Sequence, residues 1–137
     1  MLSRLFLYAQ IVKGIDAETI MKKLEEQSME GLRHAKILAS RIIQLGGTPS
    51  IKPLETPASG FSSSPEDPTD LVHVIQVILK GESYRIDKYN KLAKKYHTKD
   101  LVTHEIFEGL LVNEVSDEED WESFMPGLQQ KQKQKQK

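Results

Sequence analysis

His34, Glu82 and Glu114 each stand near the middle of an otherwise apolar helical stripe, and each lies on a different long segment of the sequence. A charged or polar group turned into a helix core must find a partner, because an isolated buried charge costs several kcal/mol or more. Carboxylates and an imidazole gathered at one height of a bundle can meet that need by binding a metal ion; hard oxygen ligands with one histidine nitrogen suit iron, and manganese is possible. Asp117 follows Glu114 by three residues and Glu30 precedes His34 by four, so each shares a helix face with its neighbour. Taken singly, an acid on such a stripe has the ordinary reading of a rim group. The coincidence on three segments is what points to a metal site at His34, Glu82, Glu114, Asp117 and Glu30.

The elements that must position these residues are helices. From Asp16 to Leu45 apolar residues recur at intervals of three and four (Ile20, Leu24, then Leu38, Ile42 and Leu45, with His34 in phase), and Gly46-Gly47-Thr48-Pro49 supplies the stop. A third helix is expected to open at Asp67-Pro68 and to carry Leu71, Ile75, Ile78, Glu82, Ile86, Tyr89 and Ala93 inward; a fourth, capped near Thr98, carries Phe107, Leu110, Leu111, Glu114, Asp117 or Glu118, and Trp121. Asp16 is the expected cap of the second helix, and a short first helix covers about Leu2 to Lys13. No alternation of period two is long enough for a strand, so the chain reads as all-α. Five of the six prolines fall between Gly46 and Pro68, which predicts a long crossover over about residues 46–68 joining two parallel helices. The helical domain is expected over residues 1–125, and the Lys/Gln-rich residues 126–137 read as a disordered tail with nothing to bury.

Composition narrows the function classes. One domain is expected from 137 residues, and 19 basic against 20 acidic side chains give no overall field that would draw the surface onto nucleic acid or an anionic membrane. The absence of cysteine excludes disulfides, thiolate metal sites and a cysteine nucleophile. No window approaches the roughly 20 apolar residues of a bilayer span, so the cytoplasm is the expected location. There is no glycine-rich phosphate loop, nucleophile elbow or HExxH pair. The run Asp117-Glu118-Glu119-Asp120 reads first as a solvated face and second as an entry path for cations. His73, His97 and His104 lack metal-like spacing, and Trp121 and Phe124 read as packing residues. Lys131 to Lys137 could touch DNA phosphates, but no aromatic is interleaved to stack on bases, so a solubilising end is the preferred reading.

The stretch Met29-Glu30-Gly31-Leu32-Arg33-His34-Ala35, running on to Ile43-Gln44-Leu45-Gly46-Gly47-Thr48-Pro49, resembles the second helix and following turn of ferritin-like proteins, especially bacterioferritins and Dps-like miniferritins. Glu82 followed by Tyr89 is similar to their third helix, and Thr103-His104-Glu105 leading to Asn113-Glu114-Val115-Ser116-Asp117-Glu118 to their fourth. The resemblance implies a four-helix bundle in which a glutamate from each of two helices and a Glu-x-x-His pair from each of the other two hold two irons. His34 matches the histidine of the first pair, Glu82 the lone glutamate of the third helix and Glu114 the glutamate of the second pair. Three departures stand out: Gly31 replaces the first pair's glutamate, for which Glu30 is a substitute one position around the helix; Asp117 replaces the second histidine; and the first-helix ligand falls upstream of Met1, so that helix is read as truncated.

The resemblance therefore implies an iron-binding protein that oxidises ferrous iron with dioxygen or peroxide, with Glu82 and Glu114 as its catalytic pair, and stores or detoxifies it within a homo-oligomer. The alternative is a degenerate ferritin-like scaffold acting as a structural or interaction subunit without ferroxidase activity. Association with copies of itself is also expected from a shortened bundle, which would leave Leu5, Tyr8 and the inner faces of three helices exposed.

Overall fold

A computed structural model describes residues 2–51 and 64–136, with side chains from Arg4 onward. Its four helices are α1 (Leu2–Ile11), α2 (Ala17–Gln44), α3 (Leu71–Tyr96) and α4 (Leu101–Lys135). At 1.5 Å per residue α2 is about 42 Å long and α4 about 52 Å. Among the described residues no strand is present, and no helix is long and apolar enough to cross a membrane. The chain is an all-α, four-helix bundle.

Contacts between distant residues set the direction of each helix. Along α4, Arg41 meets Asp100 while Lys23 meets Asp117 and Asp120, so α2 and α4 are antiparallel. Likewise His104 bonds to the Ala93 carbonyl while Gln132 reaches Asp70, so α3 and α4 are antiparallel too. It follows that α2 and α3 run the same way, so the end of α2 and the start of α3 lie at opposite ends of the bundle. Most of the crossover expected over residues 46–68 lies outside the described residues, but its two ends are explicit. At the first, Gly46 takes φ +84°, and the Gly47 and Gly46 amides bond to the Ile42 and Ile43 carbonyls, a left-handed stop that closes α2. At the second, the Lys13 amide bonds to the Pro68 carbonyl, tying the α1–α2 turn to the entry of α3.

The apolar core occupies one half of the bundle. Leu5, Tyr8, Ala9 and Val12 of α1 pack with Ile20 and Leu24 of α2, Leu71, Val74, Ile75 and Ile78 of α3, and Trp121 of α4. Leu5 and Tyr8, expected to be left exposed, are buried there because α1 folds back onto the first half of α2. Ile42 and Leu45 depart from expectation in the other direction: both are exposed, since they lie beyond the reach of α1. Met29, Leu32, Ile37 and Ile43 are also exposed, from the middle of α2 towards its end.

Three caps and one helix end also differ from the sequence reading. Asp16 makes no capping hydrogen bond and instead accepts from Lys131 at 2.8 Å. Asp67 turns onto Thr69, leaving Asp70 to cap α3 through the His73 amide. Asp100, not Thr98, caps α4; it accepts from the Thr103 amide and hydroxyl and pairs with Arg41 at 2.7 Å, contacts that hold its carboxyl down to about 2. Helix α4 continues through Pro126 to Lys135, where a disordered tail is expected from composition. Pro126 sits on an exposed face, and Phe124, Met125 and Leu128 on the opposite side pack against the core, so tertiary contact outweighs the one backbone hydrogen bond that proline removes. Deleting residues 126–137 is accordingly expected to destabilise the fold by about 1–3 kcal/mol through loss of Leu128 packing and the Asp16 and Asp70 contacts. Thermal unfolding followed by circular dichroism checks this; an unchanged midpoint would mean the segment is only a solvated extension.

Candidate metal centre

Where the apolar core ends, one helical turn beyond Leu24, Ile78 and Trp121, the interior becomes polar. Gln27, His34, Glu82, Glu114 and Asp117 are all buried, on three different helices. Oxygens of Glu82, Glu114 and Asp117 lie within 4.8 Å of one another, the one group of this kind among the described residues. Glu82 is 0% exposed. Its Oε1 accepts from the Gln27 amide at 2.7 Å and from Arg85 at 2.8 Å, while its Oε2 is buried with no hydrogen-bond partner among the described residues.

The groups around this triad fix its orientation. Trp121 Nε1 donates to the Gln27 side-chain oxygen at 2.9 Å, which leaves the Gln27 amide nitrogen to face Glu82. Arg85 Nε donates to Glu114 at 3.1 Å, so one guanidinium joins the two glutamates. Asn113 lies 3.2 Å from His34 Nε2; with the amide donating, that nitrogen is the acceptor, and the Nδ1 proton faces Glu114 at 3.7 Å. Lys23 reaches Asp117 at 3.3 Å and Asp120 at 2.7 Å. Glu30 lies half-buried beside Asp117, with its Oε1 4.0 Å from His34.

The five residues singled out in the sequence are thus neighbours, but not equals. Glu82, Glu114 and Asp117 form the compact group. His34 stands against Glu114, and Glu30 closes the side facing an open cavity of about 600 Å³ whose lining includes Lys23, Gln27, Glu30, Arg33 and Asp117. Sequence reasoning missed Gln27, Lys23, Arg85 and Asn113. Gln27 had a legible signal, lying three residues after Leu24 and seven before His34 on the same stripe, and Arg85 follows Glu82 by three. Outside the centre, His97 and His104 stack edge to face, and Asp120 and Glu118 of the acidic run engage Lys23 and Ser83.

Burial dominates the electrostatics. Desolvation, reinforced by the Glu114 carboxyl, pushes Glu82 up to about 9, and desolvation with Asp117 beside it pushes Glu30 up to about 8. Desolvation lowers His34, which is therefore the neutral tautomer its neighbours require. For both glutamates the folded chain keeps a proton that the unfolded chain has released above the ordinary value of 4.5. Their contribution to stability is therefore fully present below that value and is lost as pH rises through about 8 to 9. The melting temperature of metal-free protein is expected to fall by several degrees between neutral pH and pH ~9.5, and Glu82→Gln, which needs no proton, should flatten the decline. A wild-type profile as flat as the variant's would refute this account.

The family model of the ferritin-like domain matches residues 3–129. A search among curated proteins returns no match. Among solved structures, the bacterioferritin-related protein from Bacteroides fragilis, described as a dodecameric thioferritin, is similar with a TM-score of 0.83, covering 97% of this chain and 80% of that one at 21% identity. At that identity the likeness carries the fold. A bundle of this topology, with a carboxylate cluster at its centre and a domain match along nearly its whole length, belongs to the ferritin-like family.

Proposed function

We propose that this protein takes up ferrous iron at Glu82, Glu114 and Asp117, with Glu30 and His34 at the margin, and oxidises it for storage or detoxification within a homo-oligomer. The observation that carries this reading is Glu82 Oε2, a buried carboxylate oxygen with no hydrogen-bond partner among the described residues, on a side chain clustered with two further carboxylates. Such an oxygen favours a cation, and hard anionic donors suit ferrous, ferric or manganous ions. Each ferrous ion would give up one electron to dioxygen or peroxide. The chain's own part is to hold the anionic donors in place: Trp121 orients Gln27, Gln27 orients Glu82, and the His34 Nδ1 proton faces Glu114. Entry is supported by the open cavity lined by Glu30 and Asp117, which reaches the edge of the cluster at Asp117.

Oligomerisation is supported by the exposed Met29, Leu32, Ile37 and Ile43 along α2 and by the dodecameric state of the similar Bacteroides fragilis protein. A specific observation also favours the second reading, a scaffold without oxidation chemistry: Arg85 and Lys23 already neutralise part of the cluster, and Asp117 stands where the family pattern has histidine.

Anaerobic ferrous titration followed by air, with Glu82→Ala and Glu114→Ala in parallel, separates the two. Oxidation at least tenfold faster than buffer, lost in both variants, is expected for a working centre. Absence of ferrous binding in folded wild-type protein would establish the scaffold reading. Sedimentation velocity is expected to give an oligomer, and a stable monomer at micromolar concentration would count against storage in a shell.

A further inference from the structure

Arg85 is the feature of the centre that the bundle pattern does not require. Its side chain is only 12% exposed, and its guanidinium lies between two helices' carboxylates, with Nη2 2.8 Å from Glu82 and Nε 3.1 Å from Glu114. A planar guanidinium held at two edges by acids from α3 and α4 has no room to withdraw, and it stays charged at any working pH. Lys23 is different. It sits at the rim, on a flexible stem, and already has the half-exposed Asp120 at 2.7 Å as a second partner to which it can retreat.

We infer that Arg85 is a resident counter-cation occupying part of the space and charge of the cluster, so that each chain holds one divalent ion there rather than a pair. This deepens the metal-binding reading above and rests on it. The charge balance decides the number. With an ion bound in place of the carboxyl protons, Glu30, Glu82, Glu114 and Asp117 supply four negative charges; Arg85 and Lys23 supply two positive ones, leaving the charge of a single divalent ion. Two divalent ions would leave an uncompensated positive charge in a buried site even with Lys23 turned away to Asp120, and an unbalanced buried charge is strongly disfavoured. The three acids whose oxygens converge within 4.8 Å make one compact site. Donors for a second ion stand beside it, with His34 3.7 Å from Glu114 and 4.0 Å from Glu30, so it is the charge and volume of the guanidinium that hold the number to one.

The test uses the whole chain and manganous ion alone, so that no oxidation intervenes. Metal per chain is measured by elemental analysis after desalting and by isothermal titration, and the bound ion's electron paramagnetic resonance reports whether it is isolated or coupled to a second. Wild-type protein is expected to bind one ion per chain with an isolated six-line spectrum. Arg85→Gln, which keeps length and hydrogen bonding but removes the charge, is expected to bind two with a coupled spectrum; Arg85→Lys should remain at one. Two ions per wild-type chain, or equal counts in wild type and Arg85→Gln, would overturn the inference while leaving the metal-binding reading intact. No bound manganese in any folded variant would instead bring down that reading and this inference with it. If Arg85→Gln does not fold, the wild-type count and spectrum still decide between one ion and two.

Discussion

Four carboxyl groups drawn from α2, α3 and α4 into the middle of one bundle impose a charge that must be cancelled locally, and the surrounding structure is arranged around that requirement. In the absence of a metal the cancellation is shared between cations and protons. Arg85 joins Glu82 to Glu114, Lys23 covers Asp117, and burial makes Glu82 and Glu30 hold protons well above the ordinary range of a carboxyl group. Neutral donors complete the shell, since Gln27 gives Glu82 a hydrogen bond without adding charge. Glu82 Oε2 has no hydrogen-bond partner among the described residues.

The same constraint explains why the two halves of the bundle differ. On the side of α1 the interior is filled with branched aliphatic side chains and closes on Trp121, whose indole is the hinge between the apolar core and the polar centre: its ring packs with Phe124 while its N–H anchors Gln27. On the other side the interior thins to Ala93, Leu110 and Thr103, and the helices are joined by the ion pair from Arg41 to Asp100. A centre between a firm core and an ion-paired far end has rigid walls and an open flank at Glu30. That combination suits a site which must hold donors still and yet admit an ion. It also exacts stability, because apolar residues of similar volume would pack there without any need for protons or counter-ions.

Membership of the ferritin-like family places the centre in context, and the departures from the family pattern all fall within it. Gly31 offers no donor, Asp117 offers an anionic oxygen where the resembling pattern has a neutral histidine nitrogen, and Arg85 sets a cation against Glu82 and Glu114. The carboxylate missing at Gly31 is thus returned at Asp117, and the charge in which this centre departs from the pattern is that of the guanidinium.

Sequence alone determined the helices and the rows of acids upon them. Apolar spacing of three and four, the glycines after α2 and the prolines of the crossover are local signals, each acting over a few residues, and they place Glu82, Glu114, Asp117 and His34 inward without reference to any partner. What only the tertiary structure decided are the pairings across helices. That Arg85 rather than another of the 19 basic residues enters the centre, that Gln27 bridges Trp121 and Glu82 over separations of 94 and 55 residues, and that Lys23 reaches Asp117 depend on the relative height and rotation of helices. The helical period carries no information about those quantities. Packing also overruled two local rules, carrying α4 through Pro126 because Leu128 finds the core and leaving Ile42 and Leu45 in solvent because α1 does not extend over them. A local pattern says which face a residue is on; only the neighbouring helix says whether that face is covered, and by what charge.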